Sequence, residues 1–226
     1  MTKGRVYLAG LALAVTATAA QADITFTPAV VSDYDFRGIS QSAKDPAFQL
    51  GVDVTSGPIH VGAWTSTVNF GSSSTEIDWL ADYSFGSGET DKWNSGIVYY
   101  TYPGGFSYPE IWLQGTKGWF SAAARYSNDY GNTSADAGYF EANVAIPLGE
   151  TGFSITGHYG LSDGQYWGDY NYSDYSIGVT KSLGKFNLAL KYVDNDIDED
   201  SPLYTEGDVL NTEDRVILSV STTLPW

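Results

Sequence analysis

The sequence predicts an all-β fold: a single closed, antiparallel, up-and-down transmembrane β-barrel of about 12 strands. Three observations carry that expectation. From residue 23 onward, apolar and polar residues alternate along about a dozen segments. The connections between those segments are short and long in turn, and the last residue, Trp226, is aromatic. A wall between lipid and water requires the first two features. Each strand shows one face to hydrocarbon and the other to the lumen, with tight turns at one end of the cylinder and larger loops at the other.

The first 22 residues predict a cleaved export signal. Lys3 and Arg5 form a basic start, residues 6–15 are apolar, and Ala20-Gln21-Ala22 supplies small residues for cleavage. Residues 23–226 are then the outer-membrane β-barrel of a Gram-negative-type bacterium. No later stretch approaches the roughly 18 consecutive apolar residues of a spanning helix, so any crossing must be made by strands.

Composition agrees. Aromatic residues make up 15% of the chain and charged residues 17%, and cysteine is absent, which excludes disulfides and thiolate metal sites. The formal charge is −16, or −18 without Lys3 and Arg5, which argues against nucleic acid as a partner. No cofactor is indicated.

Taken in order, the first strand is expected at residues 25–37. The second is the clearest: Phe48, Leu50, Val52 and Val54 share one face, while Gln49, Gly51 and Asp53 share the other. Ser56-Gly57-Pro58 turns the chain into a third strand at 59–69. In the fourth, at 76–85, Ile77, Trp79, Ala81, Tyr83 and Phe85 oppose Asp78, Leu80, Asp82 and Ser84. Further strands are expected at 95–102, 108–116, 119–127, 138–146, 152–161, 174–182 and 185–193. A last one, at 214–226, places Val216, Leu218, Val220, Thr222, Leu224 and Trp226 on one face.

Twelve strands return both chain ends to the periplasm. Turns near 56–58, 86–92, 117–118, 147–151 and 183–184 would then be periplasmic. Loops at 38–46, 70–75, 103–107, 128–136, 162–173 and 194–213 would be external. A soluble β-sandwich shares the alternation. It explains less well the aromatics near strand ends, such as Tyr34 and Phe36, Tyr83 and Phe85, Phe153 and Tyr159, or Phe186 and Tyr192, which suit interfacial girdles. With strands about 4.8 Å apart and tilted near 40°, twelve of them close at roughly 24 Å and leave a gap on the order of 10 Å.

Two stretches carry a family resemblance. Ser32-Asp33-Tyr34-Asp35-Phe36-Arg37-Gly38-Ile39-Ser40-Gln41-Ser42, followed by Pro46-Ala47-Phe48-Gln49, resembles the opening signature of the TorF-type porin family. Tyr99-Tyr100-Thr101-Tyr102-Pro103-Gly104, followed by Glu110, resembles its central motif. The likeness spans nearly all of residues 23–226. It implies a small outer-membrane barrel that passes solutes, and little about which ones. The last strand resembles the C-terminal signal read by the barrel-assembly machinery, carried here by Val220, Leu224 and Trp226, although phenylalanine is the usual final residue.

The candidate pore-lining residues are Asp33, Asp35, Arg37, Gln49, Asp53, Asp78, Asp82, Glu110, Arg125, Glu141, His158, Lys191 and Arg215. They form either opposed acidic and basic walls that orient a polar solute, or ion pairs that hold the barrel shut. Gly51, Gly62 and Gly178 on inward faces keep the lumen open or relieve strain. Trp64 also points inward on the simple pattern. The loop at 194–213 carries eight acids and no bases. Asp194, Asp196 and Asp198 begin like a calcium loop, but Glu199 and Thr205 occupy the positions that need glycine and glutamate, so a solvated acidic loop is the simpler reading.

The expected partners are small solutes, outer-membrane lipids with lipopolysaccharide, and the assembly machinery. Two other functions compete with a channel. A structural or adhesive barrel would use Tyr166, Trp167, Tyr170, Tyr172 and Tyr175 around a sticky fifth loop. A lipid-modifying enzyme would need serine and histidine on the lipid face, whereas His60 and His158 both fall on inward faces.

Overall fold

The computed structural model describes residues 22–70, 73–86 and 91–226, so the predicted leader lies outside the described residues except for Ala22. The chain forms β1 (Asp23–Val31), a two-residue hairpin β2 (Asp35–Phe36) and β3 (Ile39–Ser40), then β4 (Ala47–Ser56), β5 (Ile59–Thr67) and β6 (Thr75–Phe85). There follow β7 (Asp91–Thr101), β8 (Ser107–Lys117), β9 (Phe120–Ser127), β10 (Ala137–Pro147) and β11 (Phe153–Asp163). The chain ends with β12 (Tyr172–Leu183), β13 (Phe186–Asn195), β14 (Arg215–Thr222) and β15 (Leu224–Pro225).

Each wall strand pairs antiparallel with the next, and β1 closes the cylinder between β4 and β14–β15. The last two elements form one strand. Val30 stands opposite Val220 and Phe26 opposite Leu224, the same register on both sides of Thr223. The result is a closed barrel of twelve strands, which leaves no unpaired edge.

Alternation does on the wall what the sequence requires of it. Phe48, Trp79, Ile111, Phe140, Ile177 and Val216 point outward and are each more than half exposed, a belt of apolar surface far larger than a water-facing protein carries. Their neighbours in sequence point into the lumen. The short connections gather at one end of the cylinder and the long ones at the other.

The first strand departs from expectation. It leaves the wall at Val31, where Ser32 N–H still donates to Leu218 O at 2.8 Å. Residues 33–46 then fold into the barrel as an arm. Period-two alternation continues through Asp33, Tyr34, Asp35 and Phe36, so the arm reads like wall strand, but Asp35–Phe36 pairs with Ile39–Ser40 instead. The turn between them is tight, with Arg37 and Gly38 both at positive φ, 53° and 81°. A Cβ on Gly38 would stand 2.8 Å from Asp174 Cβ, so the tip can seat against the wall only as glycine.

A second correction concerns the aromatics. Tyr34 and Phe36 form no lipid girdle, because they ride on the arm inside the barrel. Trp167 and Tyr172 of the expected sticky loop are buried in the long-loop half of the interior, together with Tyr100, Tyr102, Tyr108, Tyr130 and Ile197. Phe36 and Ile39 of the arm and Leu203 and Tyr204 of the last loop pack against this plug. Burial pushes the Tyr130 hydroxyl up to about 12. On a strand, parity distinguishes an inward aromatic from an outward one; Tyr130 and Trp167 lie outside the wall strands and carry no such mark. The short-turn half of the lumen is, by contrast, polar.

Candidate functional site

The arm is the centre of the site, and hydrogen bonds with four wall strands hold it. Arg37 Nη2 donates to both carboxylate oxygens of Glu110 on β8, at 2.8 and 2.7 Å. Its guanidinium lies 4.2 Å from the Tyr139 ring centre, and Tyr100 Oη donates to the same Glu110 at 3.3 Å. Burial alone would lower the Arg37 pKa; Glu110 more than reverses that and holds it well above the ordinary value. Tyr172 Oη donates to Arg37 O at 3.0 Å, and Asn195 Nδ2 to Gly38 O at 3.0 Å. Arg215 on β14 donates to Asp33 at 2.6 Å and to Asp35, while Lys191 reaches Asp35 at 3.2 Å. The two stretches that carry the family resemblance therefore interlock through Arg37 and Glu110.

Two of the chambers beside the arm carry charged side chains. The larger, about 690 Å³, is lined by Asp35, Arg37, Arg125, Glu141, His158, Asp174 and Lys191 and extends to the short turn at Gly118 and Trp119. Its charges are paired. Arg125 Nε donates to Glu141 at 2.9 Å, and His158 contacts Asp174 at 2.8 Å and Asn143 at 2.7 Å. The smaller chamber, about 510 Å³, is lined by Tyr34, Gln49, Asp53, Trp64, Asp78 and Tyr100. Beside it, His60 bridges Asp53, at 2.9 Å, and Asp82.

The arginines and lysine of the wall gather on one side, among Glu110, Glu141 and Asp174, while the other side is acidic. Arg125, Lys191 and Arg215 stand on β9, β13 and β14. The acids Asp53, Glu76, Asp78 and Asp82 stand on β4 and β6 with His60 as their basic neighbour. Every candidate residue named from sequence projects into the lumen: Asp33, Asp35 and Arg37 from the arm, and the other ten from the wall. The structure adds Glu76, Asp174 and the inward tyrosines. Glu76 and Asp174 share the parity of Asp78 and Gly178, so alternation alone would have found them. Tyr108, Tyr139 and Tyr172 share the parity of Glu110, Glu141 and Asp174 in the same way, but an aromatic residue near a strand end reads as lipid-facing.

The glycines do something more specific than open the lumen. A Cβ on Gly62 would stand 2.7 Å from Asp53 Oδ1, and one on Gly178 would stand 2.9 Å from Lys191 Cβ. Both make room for a charged neighbour. At Gly51 the nearest atom is 3.5 Å away, ordinary contact.

The acidic loop folds over the mouth. Asp194 accepts from Tyr175 Oη at 2.7 Å, and Asp196 accepts from the Ser173 amide, so two of the calcium-spaced acids tie the loop to β12. Among the described residues no three His, Asp or Glu side chains are placed to hold a metal. At the rim, a hydrogen bond to Asp208 (3.2 Å) raises the Lys44 pKa, and Glu213 adds to it. Val220, Leu224 and Trp226 face outward, and Trp226 packs 5.6 Å from Phe26, ring centre to ring centre.

Fold and lumen together define the class: a twelve-stranded porin-like barrel. The chain belongs to the family described as bacterial protein of unknown function (Gcw_chp), whose model matches residues 16–224. Its fold is similar to that of the NanC porin, with 12% identity and a TM-score of 0.58 over 89% of this chain and 100% of that one. It is also similar to the KdgM porin solved with disordered oligogalacturonate, with 9% identity and a TM-score of 0.55 over 88% and 98% of the two chains. At these identities the likeness is one of fold. No curated protein matches the chain in sequence.

Proposed function

We propose that this protein, exported by its leader, is an outer-membrane channel of TorF type through which small polar and charged solutes diffuse passively, with a preference for cations. One observation supports this most directly. The cations of the lumen are each committed to a carboxylate, whereas Glu76 Oε2 and Asp78 Oδ1 have no partner. Positive charge in the lumen is therefore offset, while the chain as a whole carries a formal charge of −16 and its last loop, at the mouth, is acidic. The KdgM porin was solved with an acidic sugar chain; here Arg125, Lys191 and Arg215 offer an anion little positive charge that is not already paired. The arm sets the constriction, and the outward Val220, Leu224 and Trp226 are read as the assembly signal.

A second reading, a structural barrel without an open pore, is favoured by the latch between Arg37 and Glu110 and by the aromatic plug above it. Recording in planar bilayers separates the two. The channel reading expects discrete conductance steps and a mild cation preference at low salt that fades as salt rises. Absence of steps at every voltage would favour the structural barrel.

A further inference from the structure

Asp78 is more than nine-tenths buried, lines the smaller chamber, and has no hydrogen-bond partner on Oδ1. Beside it in sequence, on the same inward face of β6, Glu76 is fully buried; its Oε1 accepts from Tyr102 Oη at 2.8 Å and its Oε2 is unpartnered. A carboxylate withdrawn from water without a counter-charge is costly and holds a proton unless a cation joins it, so a chamber built around one is a place where a cation can displace that proton. No lysine or arginine lines this chamber. Four aromatic rings do. Tyr34 meets Trp64 edge-on at 5.3 Å, and Phe36 meets Tyr100 edge-on at 5.9 Å.

We propose that the chamber beside the arm binds a small organic cation, an alkylammonium of the choline kind, between the unpartnered carboxylate of Asp78 and the rings of Tyr34, Trp64, Phe36 and Tyr100. The chemistry selects this class over its alternatives. A divalent metal ion wants six or more oxygens in a shell, and the described residues supply no such group. A small anion would face Asp53 and Asp78. An alkylammonium presents weakly hydrated methyl groups that ring faces attract, together with a charge that a carboxylate completes. The chamber, about 510 Å³, is of the size that encloses small ligands. The inference names a solute class for the channel proposed above and rests on that reading for its biological use, but binding is measured without conductance.

The test is calorimetric titration of the full chain, folded in detergent micelles, with choline chloride at constant ionic strength. The expected result is saturable one-site binding that sodium chloride does not displace. Asp78→Asn should weaken it by about tenfold or more, and Trp64→Leu by about threefold or more. If Asp78→Asn fails to fold, Trp64→Leu decides, since it leaves the charge in place. Three results would overturn the site: no saturable heat with the unaltered protein, equal affinity for sodium, or unchanged binding in both variants. Choline binding without conductance steps would retire the channel and keep the site. Steps without binding would do the reverse.

Discussion

Glu110→Gln is expected to release the arm, raising single-channel conductance severalfold and lowering the unfolding free energy by about 3–5 kcal/mol. The reason is local. The Arg37 guanidinium is almost wholly shielded from water, and Glu110 receives both of its short hydrogen bonds. Remove that charge and Arg37 is left buried near Arg125, whose Nη1 lies 3.9 Å from the same carboxylate. Arg37 already holds a left-handed backbone that only its surroundings stabilise. The double change Arg37→Met with Glu110→Leu should recover most of the stability, because a buried pair replaced by apolar side chains leaves no orphaned charge. It should not recover the narrow conductance, since the latch is gone. Urea unfolding in lipid vesicles and bilayer recording read the two effects separately. Unchanged conductance in Glu110→Gln would mean that the arm is not the constriction.

Ile111→Arg should destabilise the inserted barrel by about 2–4 kcal/mol, the cost of a cation at the bilayer midplane. Ile111 sits near the middle of β8, points outward and is more than half exposed. The same substitution at the inward Gln114, on the same strand, should cost under about 1 kcal/mol, because the lumen hydrates the guanidinium. Folding yield into vesicles measures the pair. Equal penalties would mean that the two faces of β8 meet the same solvent.

The wall strands were legible because each face of the wall meets a single solvent, so a period of two survives along the whole segment. On β4 and β6 the inward set was read residue by residue. The arm was not legible. Residues 33–36 keep the same period, and nothing local tells a strand that pairs with the wall from one that pairs with its own return. Glu110 and Arg37 were each named as lumen residues, yet their partnership depends on closure of the barrel, which brings positions 73 residues apart within 2.7 Å. The plug was hidden for another reason. Tyr100, Tyr108 and Tyr172 sit near strand ends, where a ring reads as interfacial by composition even though Tyr108 and Tyr172 share the parity of the inward Glu110 and Asp174.

The most direct test of the account is single-cysteine labelling along β6 and β8 in native membranes, which the absence of natural cysteine makes clean. Cysteines at positions 82, 84, 114 and 116 should react with a membrane-impermeant maleimide, and those at 81, 83, 111 and 113 should not. Uniform labelling, or labelling of the second set alone, would contradict a lipid-clad wall around a wet interior.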